Sequence, residues 1–119
     1  MNKLFVVVRA DLNPGLQLAQ SGHAIVAFQS SYSAKFDEWK KESNNLVVLA
    51  VENKEELAKL AYGLTLKEIK VAMFREPDLG DELTAICVEP EGQKYLSCLP
   101  LALRQVAPLS SCVVHPGIS

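Results

Sequence analysis

Little in this chain could build a metal centre or a disulfide framework. Its 119 residues contain two histidines and three cysteines, Cys87, Cys98 and Cys112. An odd number of cysteines, at spacings that match no zinc pattern, argues for reduced thiols in a cytoplasmic protein. His23 and His115 show no ligand spacing, so neither a metal nor a cofactor is expected. Gly-x-Gly and Gly-Lys-Ser patterns are also lacking, so Gly15 does not belong to a phosphate loop. No apolar run approaches the ~20 residues of a membrane span. Met1-Asn2-Lys3 runs straight into strand-like sequence, without the anatomy of a signal peptide. Neither charge dominates: the net charge of −2 argues against a broad nucleic-acid surface but leaves room for a few well-placed cations. Internal repeats, low-complexity tracts and linkers are absent.

What is present is apolar material, 49% of the chain, enough for the core of a single domain over residues 1–119. The organising stretch is residues 5–28, FVVVRADLNPGLQLAQSGHAIVAF. Its first four residues are apolar and mostly β-branched, which predicts a strand buried on both faces, ended by Arg9 and Asp11. Asn13-Pro14-Gly15 reads as a turn into a helix, with Asn13 as N-cap and Pro14 at the first helical position. At about 3.6 residues per turn, Gln20, His23, Ala24 and Ala27 share a face of that helix.

A break is predicted over residues 30–33. A short amphipathic helix follows over residues 34–42, capped by Ser33, with Phe36 and Trp39 inward. Residues 46–51 (LVVLAV) read as a second buried strand. Asn53 and Glu56 make a capping-box-like start for a third helix, with Leu57, Leu60 and Ala61 inside and Gly63 at its C-terminal end. Residues 69–74 and 83–88 are two further strands. Only eight residues separate them, too few for a helical crossover, so the last strand should be antiparallel to its neighbour. Pro90 opens a short final helix that ends before Pro100, and residues 101–119 form a tail with no assigned element.

This order predicts an α/β fold, a three-layer α/β/α sandwich on a four-stranded mixed sheet. In open sheets, sites gather beyond the carboxyl ends of the parallel strands. That rule collects Arg9, Asp11, the Asn13-Pro14-Gly15 turn, Arg75, Glu76 and Asp78 at one rim. His23 joins them if its helix turns a polar face to the same cleft. Each residue also has a plainer role. Asp11 can cap the turn or pair with Arg9, the acidic loop can simply be solvated, and Thr84 suits a strand by propensity. The cysteines serve as small hydrophobes.

Arg9-Ala10-Asp11-Leu12, Gly15 and Ala19-Gln20-Ser21-Gly22-His23-Ala24 together resemble type-2 peptidyl-tRNA hydrolases. In that family the first strand ends in Arg-x-Asp-Leu, and a Gly-containing turn leads to a helix carrying Ala-Gln-x-x-His-Ala. The resemblance covers roughly residues 3–100 and points to a divergent bacterial branch. Thr84 matches the threonine of the family's last strand. Two positions depart. The family carries a lysine just after the turn glycine, where this chain has Leu16. The family's Arg-Asp-Ala-Gly-x-Thr loop is replaced by Arg75-Glu76-Pro77-Asp78-Leu79-Gly80, which keeps a carboxylate at Glu76.

The resemblance implies hydrolysis of the ester bond in peptidyl-tRNA or a related N-acyl-aminoacyl-tRNA. His23 is the candidate base, oriented by Asp11 or Glu76. First-turn N–H groups, with Asn13 or Thr84, would hold an oxyanion or a phosphate. Arg9, Asn13, Gly15, Gln20 and Arg75 are the candidate substrate-binding residues, with Lys35, Lys40 and Lys41 as outlying cations. The alternative, resting on Leu16 and the acidic balance, is a binding or regulatory domain that keeps the fold and has lost the reaction. A homodimer is expected from the apolar surplus after Pro100 and from the family's habit; the tail folding over its own sheet edge would account for the same residues.

Overall fold

The computed structural model describes residues 2–103. It runs β1 (Lys3–Arg9), α1 (Pro14–Ser31), α2 (Ser33–Glu42), β2 (Asn45–Val51), α3 (Lys54–Leu66), β3 (Val71–Glu76) and β4 (Glu82–Val88). Short 3-10 helices follow β3 (Pro77–Leu79) and β4 (Pro90–Tyr95), so the expected final helix is of the tighter kind. The sheet order is β2-β1-β4-β3. β1 and β2 pair in parallel, and β4 is antiparallel to both β1 and β3. The carboxyl ends of β1, β2 and β3 therefore share one rim with the amino end of β4. The mixed sheet with an antiparallel last strand is as expected.

β1 reads as unbroken apolar sequence because it is buried on both faces. Leu4, Val6 and Val8 pack with Ala24 and Phe28 of α1 and Trp39 of α2. Phe5 and Val7 pack on the other side with Leu57, Ala61 and Leu64 of α3. Each fully buried aliphatic side chain contributes about 1.5–3 kcal/mol, so this strand anchors both outer layers of the sandwich.

Local signals set most boundaries. Asn13 caps α1, its side chain accepting from the Leu16 N–H at 2.8 Å, and Pro14 is the first helical residue. Asn53 caps α3 in the same way, accepting from the Glu56 N–H at 3.0 Å. Elsewhere the boundaries differ from expectation. Ser33 does not cap α2: α1 runs on to Ser31, and the single residue Tyr32 separates the helices with no side-chain cap. Gly63 does not end α3, which continues to Leu66 because the stripe of Leu57, Ala61 and Leu64 keeps its face buried. Its C-terminal turn then uses Glu68 in the left-handed region (φ 63°) and an Ile69 N–H to Leu64 C=O bond, so β3 starts at Val71 rather than Ile69.

The chain leaves the second 3-10 helix along the outer edge of β2. The Ala50 N–H donates to Pro100 C=O, the Ala102 N–H donates to Val48 C=O, and Leu101 bridges Leu49 antiparallel. The start of the predicted tail thus blunts its own sheet edge. Residues 104–119, which carry the rest of the apolar surplus, lie outside the described residues.

Candidate active site

Two polar clusters occupy the rim. The first is built on Arg9, which follows Val7 on the α3 face and is only 7% exposed. Its guanidinium grips Asp11 with two bonds of 2.9 Å, meets Glu82 at 2.8 Å and donates to Leu83 C=O at 3.2 Å. Lys54 closes the group on Glu82 at 3.1 Å. Bidentate charge-assisted bonds of this kind are strong and directional. They hold Asp11 and Glu82 below the usual carboxylate range and push Arg9 further up. The cluster ties the end of β1 to the starts of β4 and α3.

The second cluster lies on the α1 face. Leu16, Gln20 and His23 are spaced along one flank of α1 above β3, and Gln20 is 1% exposed. The Thr84 hydroxyl donates to Gln20 Oε1 at 2.5 Å, and Gln20 Nε2 donates to Glu76 Oε1 at 2.8 Å. Glu76 Oε2 accepts from the Asp78 N–H at 3.1 Å. Gln20, then the Asp78 amide, and to a lesser degree nearby His23, hold Glu76 below the usual carboxylate range. His23 is exposed and stacks on Phe74, with ring centroids 4.5 Å apart and planes 15° apart.

A β-bulge makes this arrangement possible. Phe74 pairs with Ala85 but Arg75 pairs with Leu83, which leaves Thr84 as an extra residue in β4. Strict alternation would set Thr84 and Ala85 on opposite faces. The bulge turns both toward α1, where Thr84 meets Gln20 in full burial. Re-aiming a side chain next to a site is a recurrent use of bulges.

The sequence-predicted residues are thus divided. Gln20, His23, Glu76 and Thr84 come together. Asp11 stands with Arg9 in the other cluster, so Glu76 is the carboxylate beside His23. The Asn13 side chain is spent on the α1 cap, and Gly15 is exposed on the first turn. Arg75 is exposed, with a long 3.5 Å contact to Asp81 C=O. Lys35 is held by Glu38, Glu89 and Glu91, just past the carboxyl end of β4, while Lys40 and Lys41 are exposed. Sequence reasoning missed Glu82, Lys54 and Gln17. Buried Gln17 donates to Leu12 C=O at 2.6 Å and to Ala10 C=O at 3.4 Å, fixing the turn. Its only signal was its position, one turn before Gln20.

His23 sits on open surface rather than in a deep pocket. A cavity of about 800 Å³ lies on the other flank of α1, lined by Pro14, Leu18, Leu101 and Leu103 among others. Among the described residues, no group of three or more His, Cys, Asp or Glu is placed to hold a metal ion. No described helix is long and apolar enough to cross a membrane.

Fold and rim together make a small α/β/α domain whose first helix carries Gln20 and His23 beside Glu76 of β3. The chain belongs to the peptidyl-tRNA hydrolase PTH2 family, whose sequence profile matches residues 2–100. No curated protein matches it. Among solved structures, a protein of unknown function from Agrobacterium tumefaciens is similar, with a TM-score of 0.61 and 12% identity over 84% of this chain and 96% of that one. At that identity the likeness concerns the fold alone.

Proposed function

We propose that this protein hydrolyses the ester bond of peptidyl-tRNA or a related N-acyl-aminoacyl-tRNA, in the cytoplasm and as a homodimer. The observation that carries this reading is the directed run from Thr84 through Gln20 to Glu76, ending beside His23. In that run every donor points toward Glu76, which keeps the carboxylate ionised. On this reading His23, beside the ionised Glu76, takes a proton from a water that attacks the acyl carbonyl. The proton then passes from His23 to the departing ribose oxygen. The N–H groups of the first turn of α1, with Leu16 N already capped by Asn13, offer donors for the oxyanion or a phosphate. No step calls on a cofactor.

Release of N-acyl-amino acid from charged tRNA by the purified chain is the test. Turnover should exceed buffer, and His23→Ala should lower it about 10²-fold or more, the usual worth of a general base. Correctly folded protein with no turnover would overturn the reading. One observation favours a second one: Leu16 stands where the family has a lysine, on the same flank as Gln20 and His23. A domain that binds tRNA without cleaving it would show no release, yet its tRNA affinity would fall as salt rises.

A further inference from the structure

The two edges of the sheet are treated differently. Residues 100–102 cover β2, whereas among the described residues no strand pairs with the outer side of β3. Lys70 C=O accepts from the Glu89 N–H at 3.1 Å, and Glu76 C=O accepts from the Asp81 N–H at 2.9 Å, so both residues face inward. Alternation then points the backbone of Ala72 and Phe74 into the sheet and that of Val71, Met73 and Arg75 outward. On the outer side Tyr32 Oη makes a long 3.5 Å approach to Val71 C=O. Met73, mid-strand, is 47% exposed.

The candidate site stands at this open edge. β3 is the outermost strand on its side of the sheet, and Glu76 is its last residue. His23 stacks on Phe74, and Gln20 reaches Glu76 from the same flank of α1. A chain laid along the outer side of β3, one strand spacing or about 4.8 Å away, therefore runs into the site. Its direction follows from where the reacting bond must lie. The ester carbon is the C-terminus of the peptide, and Glu76 is the C-terminal end of β3, so the peptide runs parallel to β3. An antiparallel peptide would leave its ester beside Val71, roughly 16 Å short of Glu76 at the rise of a strand. Pairing of this kind uses the backbone alone. It suits a substrate whose side chains change from one peptide to the next, because main-chain bonds give affinity whatever the sequence. Met73, unbranched and polarizable, adapts to whatever side chain lies beside it.

We propose that the open edge of β3 holds the peptide part of the substrate as an added parallel strand, delivering its C-terminal ester to His23 and Glu76. The choice of ligand rests on the peptidyl-tRNA reading, whereas the pairing is tested by binding without turnover.

Two uncleavable ligands test it by equilibrium titration of the full chain. They are N-acetyl-alanyl and N-acetyl-pentaalanyl adenosine, each joined to the ribose by an amide in place of the ester. The pentaalanyl ligand should bind about tenfold tighter, the net worth of a few backbone hydrogen bonds. Met73→Pro removes an outward donor and should bring the two affinities together. That N–H bonds nothing within the sheet, so an edge strand tolerates proline there and circular dichroism should not change. Where the variant fails to fold, N-methylating the amides of the pentaalanyl ligand should abolish its advantage on the parent chain. Equal affinities in the parent, or no binding of either ligand, overturn the proposal. So does a length advantage that survives both Met73→Pro and N-methylation. A length advantage that these changes remove upholds the added strand even if charged tRNA is not cleaved, a result that would overturn only the hydrolase reading.

Discussion

Thr84→Val isolates the bond on which the site is built. Valine has nearly the shape of threonine, so the fully buried position stays filled and only the hydroxyl is lost. The 2.5 Å bond to Gln20 Oε1 disappears, and a buried amide oxygen is left without its donor. Leaving a buried polar group unmade costs about 1–3 kcal/mol. For a domain of this size that is a fall in melting temperature of about 4–12 °C. Gln20→Leu should destabilise as well, since Glu76 then loses its amide donor and the Thr84 hydroxyl keeps only the weak 3.4 Å alternative at Phe74 C=O. The double variant should recover part of the loss, because removing both partners of a buried pair is gentler than removing one. A coupling of about 0.5–3 kcal/mol is expected for residues in one network. Urea and thermal melts of the parent, both singles and the double measure it. Strictly additive losses, or a Thr84→Val melt within about 1 °C of the parent, would refute the hydrogen-bonded run as a unit.

Three further outcomes are expected of the same fold. Asp11, Glu76 and Glu82 lie below their usual range in the fold, so near pH 4 each binds fewer protons folded than unfolded. Their contribution is full above the ordinary carboxylate pKa of about 4 and is lost as pH falls through the lower folded values. The urea midpoint should therefore drop below about pH 4, and Arg9→Met should flatten that drop, while parallel profiles would contradict the ion-pair account. Gly92→Ala would put a Cβ 2.6 Å from Val88 Cγ1 and 3.2 Å from Ile69 Cγ2 in a buried turn. Overpacking of this kind costs about 1–3 kcal/mol, and a parent-like melt would show that the turn yields freely. In a Cys112→Ser background a thiol reagent should modify exposed Cys98 at once. It should reach Cys87, buried and pushed up to about 12 by desolvation, only on unfolding; two fast thiols in folded protein would contradict this.

The fold was legible where local chemistry and burial agree. The run at residues 5–8 is apolar because β1 is covered on both faces, and the Asn13 and Asn53 caps act within three residues of themselves. The short link between β3 and β4 left only an antiparallel pairing. Boundaries failed where packing overrode a local signal: Gly63 suits a helix end, but the buried stripe around it carries α3 onward. At the rim, the sequence named Gln20, Glu76 and Thr84 but not their connection. LTAICV reads as regular strand, and the bulge that turns Thr84 toward α1 exists only in its register against β3. Glu82 and Lys54 were invisible for a similar reason. They are ordinary surface charges until the fold sets them beside Arg9, which is distant in sequence.

The direction of the Thr84–Gln20–Glu76 run bears on what the rim is for. Apolar residues of the same shape would pack the space between α1 and the bulge without an unpaired donor or acceptor to satisfy, often at equal or better stability. The chain instead spends a bulge and a buried amide on delivering one donor to a carboxylate at the surface. Glu76 Oε1 is taken by Gln20 and Oε2 by the Asp78 amide, so the carboxylate is fixed in orientation and charge before any ligand arrives. Each carboxylate oxygen keeps a second lone pair, and the exposed His23 lies near enough to interact with its charge. Leu16, on the same flank of α1, brings no charge to that surface. The hydrolase reading proposed above and its alternative of recognition without catalysis separate at the imidazole, since only the first requires that His23 exchange a proton with the substrate.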